Sequence, residues 1–211
     1  MRRAIVRTER AYAAYWFNCI GSRTGTPTGM APSVRFEMDY ECLLRGEAVR
    51  GEFLPVVRRA EFAKVGYVEE CRGGEDLAWL ELARRAGPVL VCAAPPVRWY
   101  RQDAPDSLLR LDAAVTAAGM RNMLCRAETF LKRFGADARR LNPGRRRAEH
   151  YRAAYSAVYL RDYEAARRHL EVLRAESDRS IRVRILDWCC RLRSRAPQTV
   201  MRFLGRVFRI S

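Results

Sequence analysis

The chain has 211 residues, 49% of them hydrophobic, so it is long enough to bury a core and too apolar to be disordered throughout. Its formal net charge of +16 favours an anionic partner, such as a membrane surface, a nucleic acid or an acidic protein, although a generally arginine-rich composition would explain the charge equally well. No apolar run is long enough to span a bilayer. Seven cysteines without paired metal-type spacing, together with the lack of a signal peptide, predict a protein of the reducing cytosol.

The positive charge is unevenly distributed along the chain. Residues 1–110 carry 17 Lys and Arg against 14 Asp and Glu, whereas residues 111–211 carry 23 against 10. A segment at residues 104–110, marked by Pro105 and Ser107, has the composition of a linker. We therefore predict two domains: residues 1–110, with mixed secondary structure, and residues 111–211, a basic helical extension.

The elements predicted for the first half alternate between helices, strands and loops. Residues 4–20 have the pattern of a helix with Tyr12, Tyr15 and Trp16 on its apolar face, and residues 21–32 have the composition of a loop. Residues 33–40 form either a short strand or the start of a helix that runs to Gly46. The further predicted elements are a strand at 53–58 with Pro55 at an edge or a bulge, a helix at 60–65 that Gly66 ends, a buried strand at 89–92 and an extended segment at 97–101.

Between these strands, the segment Arg72-Gly73-Gly74-Glu75-Asp76 predicts the start of a helix. An apolar stripe with Leu77 and Leu80 begins directly after the two carboxylates. The carboxylates then lie in the first helical turn, where unpaired backbone N–H groups and the helix dipole favour negative charge. Arginines in the last turn and Gly87-Pro88 predict the end of the helix. Taken alone, this pattern is typical of ordinary helix capping.

Beyond the linker, the pattern is helical throughout. The predicted elements are a long amphipathic helix at 112–134 that Gly135 ends, a turn at Asn142-Pro143-Gly144, a helical hairpin of 149–160 and 163–175 with Arg161-Asp162 at its corner, and two basic helices at 181–193 and 198–208. The hairpin resembles a single tetratricopeptide-like unit. Cys189 and Cys190 are expected to be packing residues, and His150 and His169 to be surface or packing residues rather than metal ligands.

The order of segments over residues 35–110 resembles the second half of the catalytic domain of family 2 glycosyltransferases of the GT-A fold. In that family, a strand ending in basic residues leads to a "vGgfdE" segment, a "GgED" turn with its helix, and a strand ending in "YR". The corresponding segments of this chain are Val57-Arg58-Arg59, Val65-Gly66-Tyr67-Val68-Glu69-Glu70, Gly73-Gly74-Glu75-Asp76 and Tyr100-Arg101. The resemblance implies an α+β fold: a partial, Rossmann-like GT-A half with a few strands, followed by an all-helical basic tail.

The resemblance also implies an activity, the inverting transfer of a sugar from a nucleotide-sugar donor to a hydroxyl of a glycan or lipid-linked acceptor. Asp76 would be the catalytic base, and Glu75 would orient the acceptor or the base. The further substrate-binding residues implied are Gly73 and Gly74, which let the sugar approach the backbone, Arg58 and Arg59, and Tyr100 and Arg101. A divalent metal, Mg²⁺ or Mn²⁺, would stabilise the departing diphosphate, and Asp103 would be its ligand at a position where many relatives carry histidine.

The first half of the family's domain, with its nucleotide-binding crossover and Asp-x-Asp motif, has no counterpart in this sequence. We therefore expect transfer only when that half is supplied, and expect the strands at 53–58 and 89–92 to lack most of their sheet partners. The alternative is a non-catalytic binding module, in which the basic tail docks on an anionic membrane or protein partner and Glu75-Asp76 is only a capped helix start. Nucleic acid is not favoured as a partner, because no recognised motif supports it. Either function is expected in the cytoplasm, and tail docking would place the protein at the inner face of the membrane.

Overall fold

The computed structural model describes residues 11–46, 49–69, 71, 74–101, 116–178 and 180–192. These residues have mixed α/β content, with a small sheet and seven helices. They divide into two compact units. The first unit contains the described residues of 11–68 and 74–101, and the second contains Glu69, Cys71 and the described residues of 116–192.

The first unit contains the strands and three of the helices. Its strands are β1 (Ala14–Gly21), β2 (Gly29–Met30), β3 (Arg35–Met38), β4 (Arg50–Gly51), β5 (Phe53–Val57), β6 (Val89–Cys92) and β7 (Arg98–Tyr100), and its helices are α1 (Tyr40–Arg45), α2 (Arg59–Val65) and α3 (Glu75–Ala86). The predictions for β5, α2, α3, β6 and β7 are confirmed to within a few residues. Of the two alternatives for residues 33–40, the strand is confirmed as β3, and the helix that ends before Gly46 begins only at Tyr40, after Asp39 as its N-cap.

The main sheet is organised around β1. The strand order is β3-β6-β1-β5, and β7 also pairs with β1, beyond the end of β6. Strands β6 and β7 run parallel to β1, whereas β5 runs antiparallel to β1 and β3 runs antiparallel to β6. Among the described residues, β5 pairs only with β1, so Pro55 lies in an edge strand, where its missing N–H is tolerated.

The helix predicted over residues 4–20 is wrong where the structure describes it, because residues 14–21 form the central strand β1. Six of the eight residues of β1 are buried. Tyr15 and Phe17 contact one core cluster and Ala14 and Trp16 contact another, so both faces of the strand are covered. A short run that is apolar on both faces cannot be assigned to a helix or a strand from its periodicity. Residues 4–10 lie outside the described residues.

This strand also corrects the expectation that residues 53–58 and 89–92 lack sheet partners. β5 and β6 pair on the two sides of β1, with Val57 and Val89 both opposite Ala14. The central strand that these segments need is therefore supplied by residues 14–21 of the same chain.

An aromatic cluster attaches α2 and α3 to the sheet. Trp79 of α3 packs edge-on against Trp16 of β1, with ring centroids 5.9 Å apart. Phe62 of α2 lies 5.9 Å from Trp79 and 4.9 Å from Tyr67, measured between ring centroids. Each such pair contributes about 0.5–1.5 kcal/mol beyond the area that it buries. The cluster therefore fixes where both helices lie on the sheet.

The second unit is helical in its described residues. Its helices are α4 (Ala117–Leu141), α5 (Pro143–Leu160), α6 (Tyr163–Ala175) and α7 (Ile181–Leu192). The predicted hairpin of α5 and α6 is confirmed, with Arg161 in the left-handed conformation and Asp162 capping α6 by accepting a hydrogen bond from the Ala165 N–H. Cys189 and Cys190 are both buried in the core of this unit, as expected for packing residues. The linker at 104–110 and the helix at 198–208 lie outside the described residues.

Two predicted boundaries in this unit are wrong. Gly135 does not end α4, which continues to Leu141 because its buried face runs on from Phe134 through Gly135 to Ala138. Burial of that face outweighs the roughly 1 kcal/mol by which glycine disfavours a helix interior. Residues 142–144 do not form an independent turn either. Asn142 caps α5 by accepting a hydrogen bond from the Arg145 N–H, and Pro143 occupies the first helical turn, where a missing N–H is harmless.

The two histidines form a pair between α5 and α6, in which His150 is buried and His169 is partly buried. The Nδ1 atoms of His150 and His169 are 3.1 Å apart, and His150 is only 7% exposed. Burial lowers the pKa of His150 to about 4, with smaller effects of the same sign from His169 and Arg146. Burial also lowers the pKa of His169, although Glu128 acts in the opposite direction. Both histidines are therefore packing residues that are neutral at physiological pH.

None of the helices in the described part of the chain combines the length and the apolar character needed to cross a membrane.

Candidate active site

The two adjacent carboxylates of the central segment lie in the first turn of α3. Glu75 is the first helical residue and is exposed, and Asp76 follows and is partly exposed. The preceding Gly74 is buried, and its carbonyl accepts a hydrogen bond from the Leu77 N–H at 3.0 Å. Because the N–H groups of this turn favour negative charge, the first turn of α3 suits two carboxylates.

The direction of α3 places this turn toward one edge of the sheet. α3 ends at Ala86, and β6 begins at Val89, opposite the first residue of β1. The 12-residue helix is about 18 Å long and packs through Trp79 onto Trp16, so its first turn lies further along β1. The first turn therefore lies in the direction of the edge at which β1 and β7 end, which we call the carboxyl edge, whereas β6 ends earlier, opposite Phe17. Ligands of open α/β sheets bind at such an edge.

A buried carboxylate, which was not predicted from the sequence, holds the last turns of α3. Glu81 is only 3% exposed and accepts hydrogen bonds from Arg84, at 2.6 Å between Nη2 and Oε2, and from Arg85. Arg84 also lies over the ring of Tyr40 in α1, 6.0 Å from its centroid. The spacing of Glu81 to the two arginines, three and four residues, is the feature that predicts these pairs. Glu81 therefore has a structural role.

Tyr100 and Arg101 lie at the carboxyl end of β1. Tyr100 is opposite Gly21, the last residue of β1, and its carbonyl accepts a hydrogen bond from the Ser22 N–H at 2.9 Å. Burial, with a smaller contribution from Glu52, raises the pKa of Tyr100, so the phenol stays protonated and can donate a hydrogen bond. Arg101 follows directly and is exposed. The register of β7 therefore places a donor and a cation at the carboxyl edge, with the Tyr100 side chain on the Phe17 face of the sheet and α3 on the opposite, Trp16 face.

The other two arginines predicted to bind substrate lie elsewhere. Arg58 and Arg59 directly follow β5, whose last residue pairs with the first residue of β1. The eight residues of β1 separate its two ends by about 23 Å, at roughly 3.3 Å per residue. The structure therefore does not bring Arg58 and Arg59 together with Tyr100 and Arg101.

A buried asparagine that the sequence did not single out joins the loops at the carboxyl edge. The Asn18 side chain is 3% exposed and donates to the carbonyls of Gly29 and Ala93, at 2.9 and 3.2 Å. Its oxygen accepts from the N–H groups of Gly29 and Cys19, at 2.9 Å each. The amide therefore fixes β2 and the start of the β6–β7 connection against β1. A polar residue within the apolar run of 14–20 is the feature that would have indicated this role.

The remaining predicted site residues, Gly73 and Asp103, lie outside the described residues. Within the described ranges, no group of three or more His, Cys, Asp or Glu side chains is arranged to hold a metal ion. The divalent metal and its ligand Asp103 therefore stay predictions. The described candidate residues are therefore two carboxylates in the first turn of α3 and, at the carboxyl end of β1, a protonated phenol and a guanidinium.

Such a set can accept a proton from a hydroxyl and place positive charge near an anionic leaving group. Comparison of the chain with protein-family models, with curated proteins and with solved structures found no match. The function must therefore be inferred from the site itself.

Proposed function

We propose that this chain contributes the acceptor side of an inverting glycosyltransferase. The observation that supports the proposal is the pair of carboxylates, Glu75 and Asp76, in the first turn of α3, where the resemblance expects the catalytic base. The resemblance in sequence assigns the base to this turn, and the exposed and partly exposed carboxylates there are accessible to an acceptor.

In the proposed reaction, the Asp76 carboxylate removes the proton of the acceptor hydroxyl as the oxygen attacks the anomeric carbon of the donor. The bond from that carbon to the diphosphate oxygen breaks, and the leaving nucleoside diphosphate keeps the electron pair. Glu75 orients the acceptor, Tyr100 donates a hydrogen bond, and Arg101 opposes the charge that develops on the diphosphate. A divalent metal, with Asp103 as its predicted ligand, would supply additional positive charge when bound.

A panel of nucleotide sugars, supplied with Mg²⁺ or Mn²⁺ and with glycan and lipid-linked acceptors, tests the proposal on the chain combined with the nucleotide-binding half of a family 2 glycosyltransferase. Transfer with inversion at the anomeric carbon, detected by nuclear magnetic resonance of the product, is the expected result. The absence of both transfer and donor hydrolysis with every sugar nucleotide would refute the proposal.

A second candidate function, docking on an anionic membrane, is supported by a specific feature of α7. Ile181, Trp188 and Leu192 are 53–56% exposed, and their spacing of seven and four residues places them on one stripe of the helix. The opposite stripe, with Val183 and Leu186, is buried in the core of the second unit. An exposed apolar stripe of this kind is typical of helices that lie in a membrane interface.

The charges around the stripe are complementary to an anionic lipid surface. Arg184 and Arg191 lie beside the stripe on the helix, and residues 116–192 carry 18 Lys and Arg against 9 Asp and Glu. Each basic residue close to an anionic surface contributes about 1 kcal/mol, and this contribution falls as salt screens the charges. The stripe and the basic residues together favour an anionic membrane as the partner of α7.

Vesicle co-sedimentation tests this second function with a matched pair of variants. Trp188→Ala should weaken binding to phosphatidylglycerol-containing vesicles on the order of tenfold, since it removes the largest apolar side chain of the stripe. Trp99→Ala removes a tryptophan of β7 that is 63% exposed, against 54% for Trp188, and should leave binding unchanged. Equal losses in the two variants, or equal binding to neutral phosphatidylcholine vesicles, would refute membrane docking through α7.

A further inference from the structure

Two cysteine thiols far apart in sequence meet in the second unit. The sulfur atoms of Cys71 and Cys125 are 2.6 Å apart although the residues are separated by 54 positions. The hydroxyl of Thr129 lies 3.7 Å from the Cys71 sulfur. Both cysteines are reduced in the structure, and a disulfide would need the sulfurs to approach to about 2.05 Å. Only a small local movement therefore separates the two thiols from a covalent bond.

The two thiols differ in how a small molecule could reach them. Cys71 is 3% exposed, whereas Cys125 is partly exposed on α4 and lines a cavity of about 380 Å³. The charged residues that line the same cavity are Arg121, Lys132 and Glu128, two cations and one carboxylate. An anionic small molecule that carries a disulfide could therefore reach Cys125 first, and Cys71 would be the second thiol to react.

The other cysteines are less suited to this chemistry. Burial raises the pKa of five further thiols, those of Cys19, Cys42, Cys92, Cys189 and Cys190. Selectivity for the Cys71–Cys125 pair therefore rests on the short distance within the pair and on the access to Cys125.

We propose that Cys71 and Cys125 form a redox-modification site that reacts with a low-molecular-weight disulfide of the glutathione class. The Cys125 thiolate attacks one sulfur of the small disulfide, whose S–S bond breaks and releases one small thiolate. The Cys71 thiolate then attacks the Cys125 sulfur and expels the second small thiolate. Two protein thiols are oxidised to a disulfide, one small disulfide is reduced to two thiols, and the two protons from the protein thiols go to the two leaving groups.

The modification would constrain the chain just before the proposed catalytic turn. Cys71 lies four residues before Glu75 in the sequence, and the disulfide would link this segment to α4 in a closed loop. Such a link removes conformational freedom from the unfolded chain and restricts the segment that leads into α3. The site requires only the two thiols, so it does not depend on the proposed function.

Peptide mapping of the full chain tests the proposal directly. After incubation with glutathione disulfide and alkylation of the remaining thiols, we expect a peptide pair joined through Cys71 and Cys125, five alkylated cysteines, and full reversal by a dithiol reductant. The oxidised chain should melt several degrees higher than the reduced chain, as expected for closing a loop of this length. Cys71→Ser and Cys125→Ser should abolish both effects, whereas Cys42→Ser, at a partly exposed thiol of α1, should keep them.

Three results would overturn the inference, and all of them are read on the wild-type chain, so none depends on a variant folding. They are a stable glutathione adduct on Cys125 that Cys71 does not displace, a disulfide that joins a different pair of cysteines, and a disulfide between two chains.

Discussion

The substitution Asp76→Asn separates the catalytic from the capping role of the first turn of α3. The amide has nearly the shape of the carboxylate but cannot accept the proton of the acceptor hydroxyl. Removing a general base typically lowers the rate by about 10²–10⁴-fold. We therefore expect a loss of this size in kcat, with little change in donor affinity.

The structural cost of the same substitution should be small. Removing one negative charge from a helical first turn costs about 0.3–1 kcal/mol. The buried face of α3 includes Leu77, Leu80 and Leu82, and each fully buried leucine contributes about 1.5–3 kcal/mol. The helix should therefore persist in the variant, and the melting temperature should fall by no more than a few degrees.

The assay compares kcat per folded molecule with the melting temperature for the wild type, Asp76→Asn and Glu75→Gln. Glu75 lies in the same helix-dipole field and is more exposed, so Glu75→Gln has a similar effect on stability but should have the smaller effect on turnover. If Asp76→Asn lowers the melting temperature but leaves kcat per folded molecule unchanged, Asp76 has no catalytic role and only caps the helix.

Two further predictions concern stability. Because His150 has a pKa of about 4 in the folded chain and about 6.5 when unfolded, the unfolded chain binds more protons below pH 6.5. Urea unfolding should therefore show about 2 kcal/mol less stability at pH 5 than at pH 7.5, with His169 acting in the same direction, and a flat profile for the wild type would contradict this. Gly135→Ala should stabilise the chain by about 0.5–1 kcal/mol in the same assay, because its new methyl group meets only the Leu131 Cβ, at 3.9 Å. Gly51→Ala is the opposite control and should destabilise the chain. Its Cβ would lie 2.0 Å from the Thr28 carbonyl oxygen, and Gly51 has a positive φ. A stabilising effect of Gly51→Ala would contradict this reasoning.

The elements that could be predicted from the sequence are those whose ends are marked by local chemistry. The carboxylates at 75–76 and the glycine at 87 mark the ends of α3, and Asp162 marks the start of α6, so their limits are close to the predicted ones. β1 has no such marks and is apolar on both faces, which made a strand look like a helix. Gly135 shows the converse case, in which burial of a helix face overrides a local stop signal.

The candidate site shows the same division between local and long-range information. The first turn of α3 depends on neighbours in the sequence, and it was predicted correctly as a helix start. The separation of Arg58 from Tyr100 depends on which ends of β5 and β7 meet the ends of β1, and strand register of that kind cannot be derived from the local sequence.

The Asn18 side-chain amide uses all of its hydrogen-bonding groups, and this affects how the loops at the carboxyl edge can move. One side chain holds Gly29 in β2 and Ala93 after β6, and the Val97 N–H donates to the Asn18 backbone carbonyl at 3.0 Å. Neither segment can pull away from β1 without breaking bonds to the residue that also secures the other. Opening of the two segments should therefore be cooperative, and hydrogen exchange at this edge would proceed as a single unit rather than loop by loop. A ligand that displaces one of these segments would meet the combined resistance of both.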